Sequence, residues 1–150
     1  MANRQLPNQV KSMRDDLISQ GFLDDQFIQV EDLQDDESPS FAEEVAALYF
    51  KDSAKVLIVM EAALEKKPVD YSALDQLIHR LKGSSSSMGA AKVMQETLAF
   101  RDLCRERNAD GCKEAFQRLK TEFETLKPKL QTYFQLARQA RPAETADRPA

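Results

Sequence analysis

The sequence predicts an all-α fold, an antiparallel four-helix bundle with two additional N-terminal helices. Apolar residues recur at helical spacing along most of the 150 residues, no stretch shows the alternation typical of a strand, and only four glycines and six prolines interrupt the chain. Long helices joined by short turns are typical of such a bundle. We expect one domain over residues 1–140 and a disordered tail over residues 141–150, where Pro, Ala, Glu, Thr and Asp occur without periodicity.

The first half of the chain predicts three helices. An apolar stripe that stops at Gly21 marks the first helix; its members are Leu6, Val10, Met13 and Leu17. Asp24 is placed to cap a short second helix, and residues 34–39 form an acidic loop. Ser40 and Glu43 have the spacing of a capping box, which predicts the start of a long third helix. The side chains that this helix is expected to bury are Phe41, Val45, Leu48, Leu57, Met60 and Leu64.

The second half of the chain predicts the other three helices. Asp70 follows Pro68 and begins the fourth helix, which Gly89 ends or bends. A fifth helix covers residues 90–107, and residues 108–111 form a turn. The sixth helix has heptad-like apolar spacing at Cys112, Phe116, Leu119, Phe123, Leu126, Leu130 and Phe134. Pro128 lies inside this stripe, and since the stripe continues past it we expect a kink rather than a stop.

The fourth helix carries the only histidine of the chain, His79. At about 100° per residue one side of this helix is apolar; it contains Leu74, Leu77, Ile78, Leu81, Ser85 and Met88. His79 then points about 145° away from the centre of that stripe, toward solvent, with Gly83 and Ser86 beside it. Helical side chains lean toward the N-terminus, so residue 83 normally covers residue 79. A glycine there leaves the imidazole uncovered.

Simpler interpretations of this segment remain open. A single surface histidine is usually a solvated side chain. A run of one glycine and four serines is often a flexible linker, and the pattern alone does not decide between linker and helix. No spacing in the chain brings a nucleophile and a carboxylate to His79 as in a catalytic triad.

Residues 79–90, HRLKGSSSSMGA, closely resemble the signature of histidine-containing phosphotransfer (HPt) proteins, and the four serines resemble the plant type. Residues 21–27, 99–104 and 110–112 extend the resemblance over most of the chain. Two positions depart from the family pattern. Arg80 stands where the family usually has glutamine, and Pro128 lies within the last helix.

The resemblance implies a phosphorelay intermediate in cytokinin-type two-component signalling, located in the cytoplasm and nucleus. His79 would accept a phosphoryl group from the receiver domain of a hybrid sensor histidine kinase and pass it to the receiver aspartate of a response regulator. The chain would be a covalent phosphoryl carrier without ATP-dependent kinase activity. Its partners would be these receiver domains, with no nucleic acid and no membrane among them.

The residues around His79 suit phosphoryl transfer, which needs in-line approach and neutralisation of charge. An exposed imidazole can act as the nucleophile, Gly83 permits the approach, and Lys82 supplies a point charge. Further candidates for contact with the phosphoryl group or the receiver are Arg80, Ser84, Ser86, Arg101 and Arg105. Arg101 and Arg105 are equally well interpreted as solvated side chains.

Composition and charge exclude several other functions. Lys and Arg number 21 against 25 Asp and Glu, a net charge of −4, which gives no reason to expect nucleic-acid binding. Residues 15–50 contain no basic residue, whereas residues 79–107 contain six basic and three acidic ones, so the region around His79 is locally positive. The sequence shows no membrane-spanning apolar run and no signal peptide.

The sequence also lacks the usual signatures of cofactor chemistry. It has no nucleotide-binding glycine loop and no carboxylate cluster for magnesium, so we expect no cofactor, no metal site, and magnesium supplied by the partner. Cys104 and Cys112 either approach each other across a helical hairpin or are separate buried thiols. Two other functions remain open, namely an unrelated helical adaptor, or a non-catalytic adaptor that binds receivers and inhibits signalling. Family relatives of the latter kind lack the histidine.

Overall fold

The computed structural model describes residues 2–141, with side chains from residue 5 onward. Its helices are α1 (Ala2–Ser19), α2 (Asp25–Asp32), α3 (Phe41–Glu65), α4 (Tyr71–Met88), α5 (Ala91–Arg105) and α6 (Ala109–Ala140). Within these residues there is no strand, and α3 to α6 form the antiparallel bundle, which confirms the predicted all-α fold. No helix of the described part is both long and apolar enough to cross a membrane.

The two N-terminal helices pack on the bundle, α1 against α6 and α2 against α3 and α4. Phe27 of α2 is fully buried, and its ring lies 5.7 Å from that of Tyr133 and 6.1 Å from that of Phe134. The hydroxyl of Tyr133 donates a hydrogen bond to the carboxylate of Glu31, which also pairs with Arg14 at 3.3 Å. Aromatic packing and a shared carboxylate therefore fix α1 and α2 to the last helix.

Both predicted ends of α4 are confirmed. The carboxylate of Asp70 accepts a hydrogen bond from the backbone N–H of Ala73 at 3.0 Å, as an N-cap should. Gly89 ends the helix in the left-handed conformation, with φ of 80°. A Cβ on Gly89 would lie 2.5 Å from the backbone nitrogen of Phe27, so both backbone conformation and close packing of α2 require glycine.

The capping box predicted for α3 is wrong. Ser40 precedes the helix with φ of −107° and ψ of 17°, and its side chain makes no capping hydrogen bond. The side chain of Gln34 accepts the hydrogen bond from the backbone N–H of Ala42 instead, at 3.2 Å. Glu43 pairs with Arg138 of α6 at 3.3 Å. A side chain outside the helix thus caps the start of α3, and Glu43 pairs with another helix instead of completing a capping box.

The prediction that Leu48 is buried is also wrong, since 60% of this residue is exposed. The face of α3 that meets the bundle contains Ala46, Tyr49 and Ser53. Leu48 precedes Tyr49 by one residue and is therefore rotated about 100° away from the core. The spacing of α3 did not distinguish these two registers, because apolar side chains occur on several of its faces.

The turn predicted at residues 108–111 is shorter than expected. Only Asn108 lies outside α6, and its side chain accepts a hydrogen bond from the backbone N–H of Gly111 at 2.9 Å, so residues 109–111 form the first helical turn. The helix continues through the exposed Pro128, as predicted, while the kink stays a prediction. Residues 142–150 of the predicted tail lie outside the described residues.

Candidate functional site

His79 lies on the exposed face of α4, as its spacing predicted. The opposite face of this helix is buried and fixes its rotation about its own axis. Beneath that face the hydroxyls of Tyr49 and Ser85 form a buried hydrogen bond of 2.8 Å between α3 and α4. Burial raises the pKa of Tyr49 to about 12 although this hydrogen bond lowers it. Ser85 is therefore a structural serine that joins α4 to α3, a contact that sequence reasoning missed.

The imidazole opens onto a groove of about 370 Å³ between α4 and α5. The residues that line this groove are Asp75, Gln76, Ile78, His79, Lys82, Arg101 and Arg105. Three of these residues carry positive charge, and two of the three come from α5. The structure therefore brings the predicted residues Lys82, Arg101 and Arg105 together with His79.

Arg101 is a half-buried cation of the groove, with 24% of its side chain exposed. Its Nη2 lies 3.4 Å from the carboxylate of Asp102, and its Nε is buried without a hydrogen-bond partner among the described residues. Arg105 is one turn further along α5 and exposed. The half-buried guanidinium of Arg101 places a positive charge in the groove beside His79.

Gly83 adjoins His79 one turn along α4, and a Cβ built on it would meet no atom within 4 Å. Neither packing nor backbone conformation therefore requires glycine at this position. A glycine inside a helix costs about 1 kcal/mol relative to alanine. The open space around this position agrees with the predicted access to the imidazole, and that role of Gly83 stays a prediction.

Arg80, Ser84 and Ser86 do not line the groove. Ser86 is exposed on the same face as His79 but two turns further along α4, and Arg80 is exposed on an adjacent face. The hydroxyl of Ser84 donates to the backbone oxygen of Leu81 at 3.1 Å. Their predicted contacts with a phosphoryl group or a receiver stay predictions, as do the roles of the residues inside the groove.

Two groove residues were missed by sequence reasoning, Asp75 and Gln76. They precede His79 by four and three residues, the spacing of helical neighbours. That spacing was the signal in the sequence that could have identified them. Asp75 is the one carboxylate among the groove-lining residues that the structure describes.

A second groove, of about 260 Å³, continues from the first toward the end of α5. Here the guanidinium of Arg107 lies 5.1 Å from the centre of the Tyr71 ring. Cys104 lines this groove, and its Sγ is 3.5 Å from that of Cys112. Both cysteines are free and buried, and burial raises the pKa of both thiols. The sequence left two alternatives, a close approach of the two cysteines or buried free thiols. In the structure both hold, because the two thiols are close together, buried and free.

The site has the components of a phosphoryl acceptor. It offers an exposed imidazole nucleophile, an open approach past Gly83, and cations on two helices that can neutralise phosphoryl oxygens. Residues 2–141 contain no group of three or more His, Cys, Asp or Glu side chains that would hold a metal ion.

Comparisons with known proteins agree with this geometry. Residues 44–129 match the model of the Hpt domain. Over 145 residues the chain is 51% identical to pseudo histidine-containing phosphotransfer protein 5 of Oryza sativa subsp. japonica, covering 97% of this chain and 95% of that one. Over 116 residues it is 53% identical to histidine-containing phosphotransfer protein 4 of Arabidopsis thaliana, covering 77% and 91%.

Solved structures show the same fold. The chain superposes on a histidine-containing phosphotransfer protein of Medicago truncatula with a TM-score of 0.85, at 40% identity and 96% coverage of both chains. A maize protein of the same description gives a TM-score of 0.82 at 37% identity, covering 89% of this chain and 98% of that one. This chain therefore belongs to the family of histidine-containing phosphotransfer proteins, which interact with receiver domains in two-component signalling.

Proposed function

We propose that this chain is a phosphorelay intermediate. His79 accepts a phosphoryl group from the receiver domain of a hybrid sensor histidine kinase and passes it to the receiver aspartate of a response regulator. The observation that carries the proposal is the exposed imidazole of His79 at a groove whose other charged side chains are mostly cations.

The groove supplies what phosphoryl transfer requires of the acceptor. The imidazole attacks phosphorus in line with the bond to the leaving carboxylate, and Lys82 and Arg101 neutralise the charge spread over the phosphoryl oxygens. The receiver brings the Mg²⁺ and the carboxylate. The same geometry serves the return step, because the next receiver approaches over the same open face beside Gly83.

A second candidate is a non-catalytic adaptor that binds receivers and inhibits signalling. It is favoured by the high identity to a rice relative that carries the word pseudo in its name. Against it stands His79 itself, exposed and within the matched domain. The two candidates differ in one observable, the covalent transfer of a phosphoryl group.

The test is single-turnover transfer from a radiolabelled receiver with Mg²⁺ to the wild-type chain and to His79→Gln. We expect acid-labile label on the wild type, no label on the variant, and equal binding of both to the receiver, because the exposed imidazole supports no core packing. Addition of a second, unlabelled receiver should then remove the label from the wild type. Receiver binding without label on the wild type would establish the adaptor, and label on His79→Gln would exclude His79 as the acceptor.

We further propose that the relay is of the cytokinin type and that the protein works in the cytoplasm and nucleus. Similarity to plant proteins from rice and Arabidopsis supports a relay of the cytokinin type. The proposed location follows from the proposed relay, since a carrier between a sensor kinase and a response regulator must reach both proteins. Imaging of a full-length fluorescent fusion tests the location, and receivers of cytokinin-responsive kinases are the first donors to compare. Exclusion of the fusion from either compartment would contradict the proposed location.

A further inference from the structure

Asp75 is an acidic residue in a groove of cations. It lines both the groove at His79 and the groove that continues toward Arg107. Although Arg101 and Arg105 face it from α5, no ion pair within 4 Å involves Asp75 in the part of the chain that the structure describes. The side chain is exposed and no hydrogen bond engages its carboxylate there. Its carboxylate is therefore available to a neighbour.

His79 is the neighbour that helix geometry brings to Asp75. Residues four apart on a helix have Cβ atoms about 5–6 Å apart, and side chains lean toward the N-terminus, so the imidazole leans over Asp75. No contact within 4 Å joins the imidazole nitrogens to this carboxylate in the described part of the chain. Both side chains are exposed and free to rotate, so the short aspartate side chain can reach the nitrogen next to the ring attachment, Nδ1. The distal nitrogen, Nε2, then points away from the helix, toward an approaching receiver.

Other side chains in the groove do not replace this carboxylate. Lys82, Arg101 and Arg105 have no acceptor atoms on their charged groups. Gln76 can accept through its amide oxygen, but a carboxylate makes the stronger, charge-assisted hydrogen bond. The guanidinium of Arg101 already lies 3.4 Å from Asp102, which reduces its competition for Asp75.

We propose that Asp75 is a positioning residue that accepts the Nδ1–H of His79 and thereby leaves the lone pair on Nε2 as the nucleophile. This inference rests on the proposed function. The hydrogen bond selects one neutral tautomer, and the carboxylate offsets the positive charge that the ring gains when Nε2 is phosphorylated.

The two transfer steps then balance without moving a proton. In the first, Nε2 forms a bond to phosphorus as the P–O bond of the receiver's aspartyl phosphate breaks, and the carboxylate leaves with the electron pair. The ring becomes a phosphoimidazolium that keeps its Nδ1–H on Asp75. In the second, a carboxylate oxygen of the next receiver bonds to phosphorus, the N–P bond breaks, and the neutral imidazole is restored.

The tautomer of His79 is directly measurable because the chain has a single histidine. We would record the ¹⁵N spectrum of the imidazole in the full-length protein at about pH 8.5, well above the reference titration of imidazole. The wild type should show mainly the Nδ1–H form, Asp75→Ala should lose this excess, and Asp75→Asn should keep part of it through its neutral acceptor. The matched control is Asp52→Asn, an exposed carboxylate on α3, which should leave the spectrum unchanged.

Transfer measurements complete the test. Asp75→Ala should slow single-turnover transfer roughly 10- to 100-fold, the effect expected for one charge-assisted hydrogen bond, with Asp75→Asn in between. ³¹P NMR should show phosphate on Nε2 in the wild type and an added Nδ1 isomer in Asp75→Ala. A wild-type ring that is mainly Nε2–H, or an unchanged rate and isomer in Asp75→Ala, would overturn the inference. Failure of the wild type to accept label would instead refute the proposed relay, while the tautomer measurement would still decide the role of Asp75.

Discussion

Substitutions at Gly83 should raise the stability of α4 while slowing phosphoryl transfer to His79. A Cβ at this position would meet no atom within 4 Å, so Gly83→Ala needs no repacking. The substitution removes the helix penalty of glycine and should stabilise the fold by about 1 kcal/mol. For a domain of this size that corresponds to a rise in Tm of roughly 2–4 °C. Gly83→Leu should behave similarly in a thermal melt, because leucine is also a strong helix former.

Transfer should respond in the opposite direction. A side chain at position 83 leans toward the N-terminus, over His79. We expect Gly83→Ala to slow single-turnover transfer slightly and Gly83→Leu to slow it roughly 100-fold, the usual effect of displacing a reacting group by about 1 Å. The matched control is Gln95→Leu, an exposed helical position on α5 that lines neither groove. It should transfer at the wild-type rate.

The measurements are thermal unfolding by circular dichroism and transfer from a phosphorylated receiver, on the same preparations. A lower Tm for Gly83→Ala would show that α4 is not a regular helix at this point. Wild-type transfer by a folded Gly83→Leu would show that access to the imidazole is not why glycine stands there.

Three further predictions follow from the site and the core. Lys82→Ala should add about 1–3 kcal/mol to the transfer barrier without abolishing transfer, because a charged contact to the phosphoryl oxygens is lost; a single-turnover rate equal to wild type would contradict this. Arg80→Gln should weaken the slowing of receiver association by salt, since exposed charges are screened within about 10 Å at 0.1 M; identical salt slopes and partner ranking in stopped-flow would make Arg80 a solvated residue only. Burial raises the pKa of Tyr49 to about 12 in the folded protein, whereas the tyrosine of the unfolded chain loses its proton from about pH 10. The free energy of unfolding should therefore fall by about 2–3 kcal/mol between pH 10 and 12. Urea titrations should show a smaller fall in Tyr49→Phe, and an equal fall would exclude Tyr49 as the cause.

Much of the fold was predictable because helices are locally encoded. The cap at Asp24, which accepts from the backbone N–H of Gln26 at 3.0 Å, and the end of α4 at Gly89 depend on residues within one turn. The errors concern contacts between distant segments. Gln34 replaced Ser40 as the cap of α3, and Leu48 faces outward, because neighbouring helices decide which groups are satisfied and which face is covered.

In the candidate site too, features of a single helix were predictable, whereas contacts between helices were not. Given that residues 71–88 form a helix, the exposure of His79 and the open space at Gly83 follow from angles along that one helix, which the sequence spacing provides. Only the tertiary structure decided that Arg101 and Arg105 share a groove with His79 while Arg80 and Ser86 do not. Sequence spacing fixes neighbours on one helix, whereas the packing of α4 against α5 fixes neighbours across the groove, and that packing depends on the whole core.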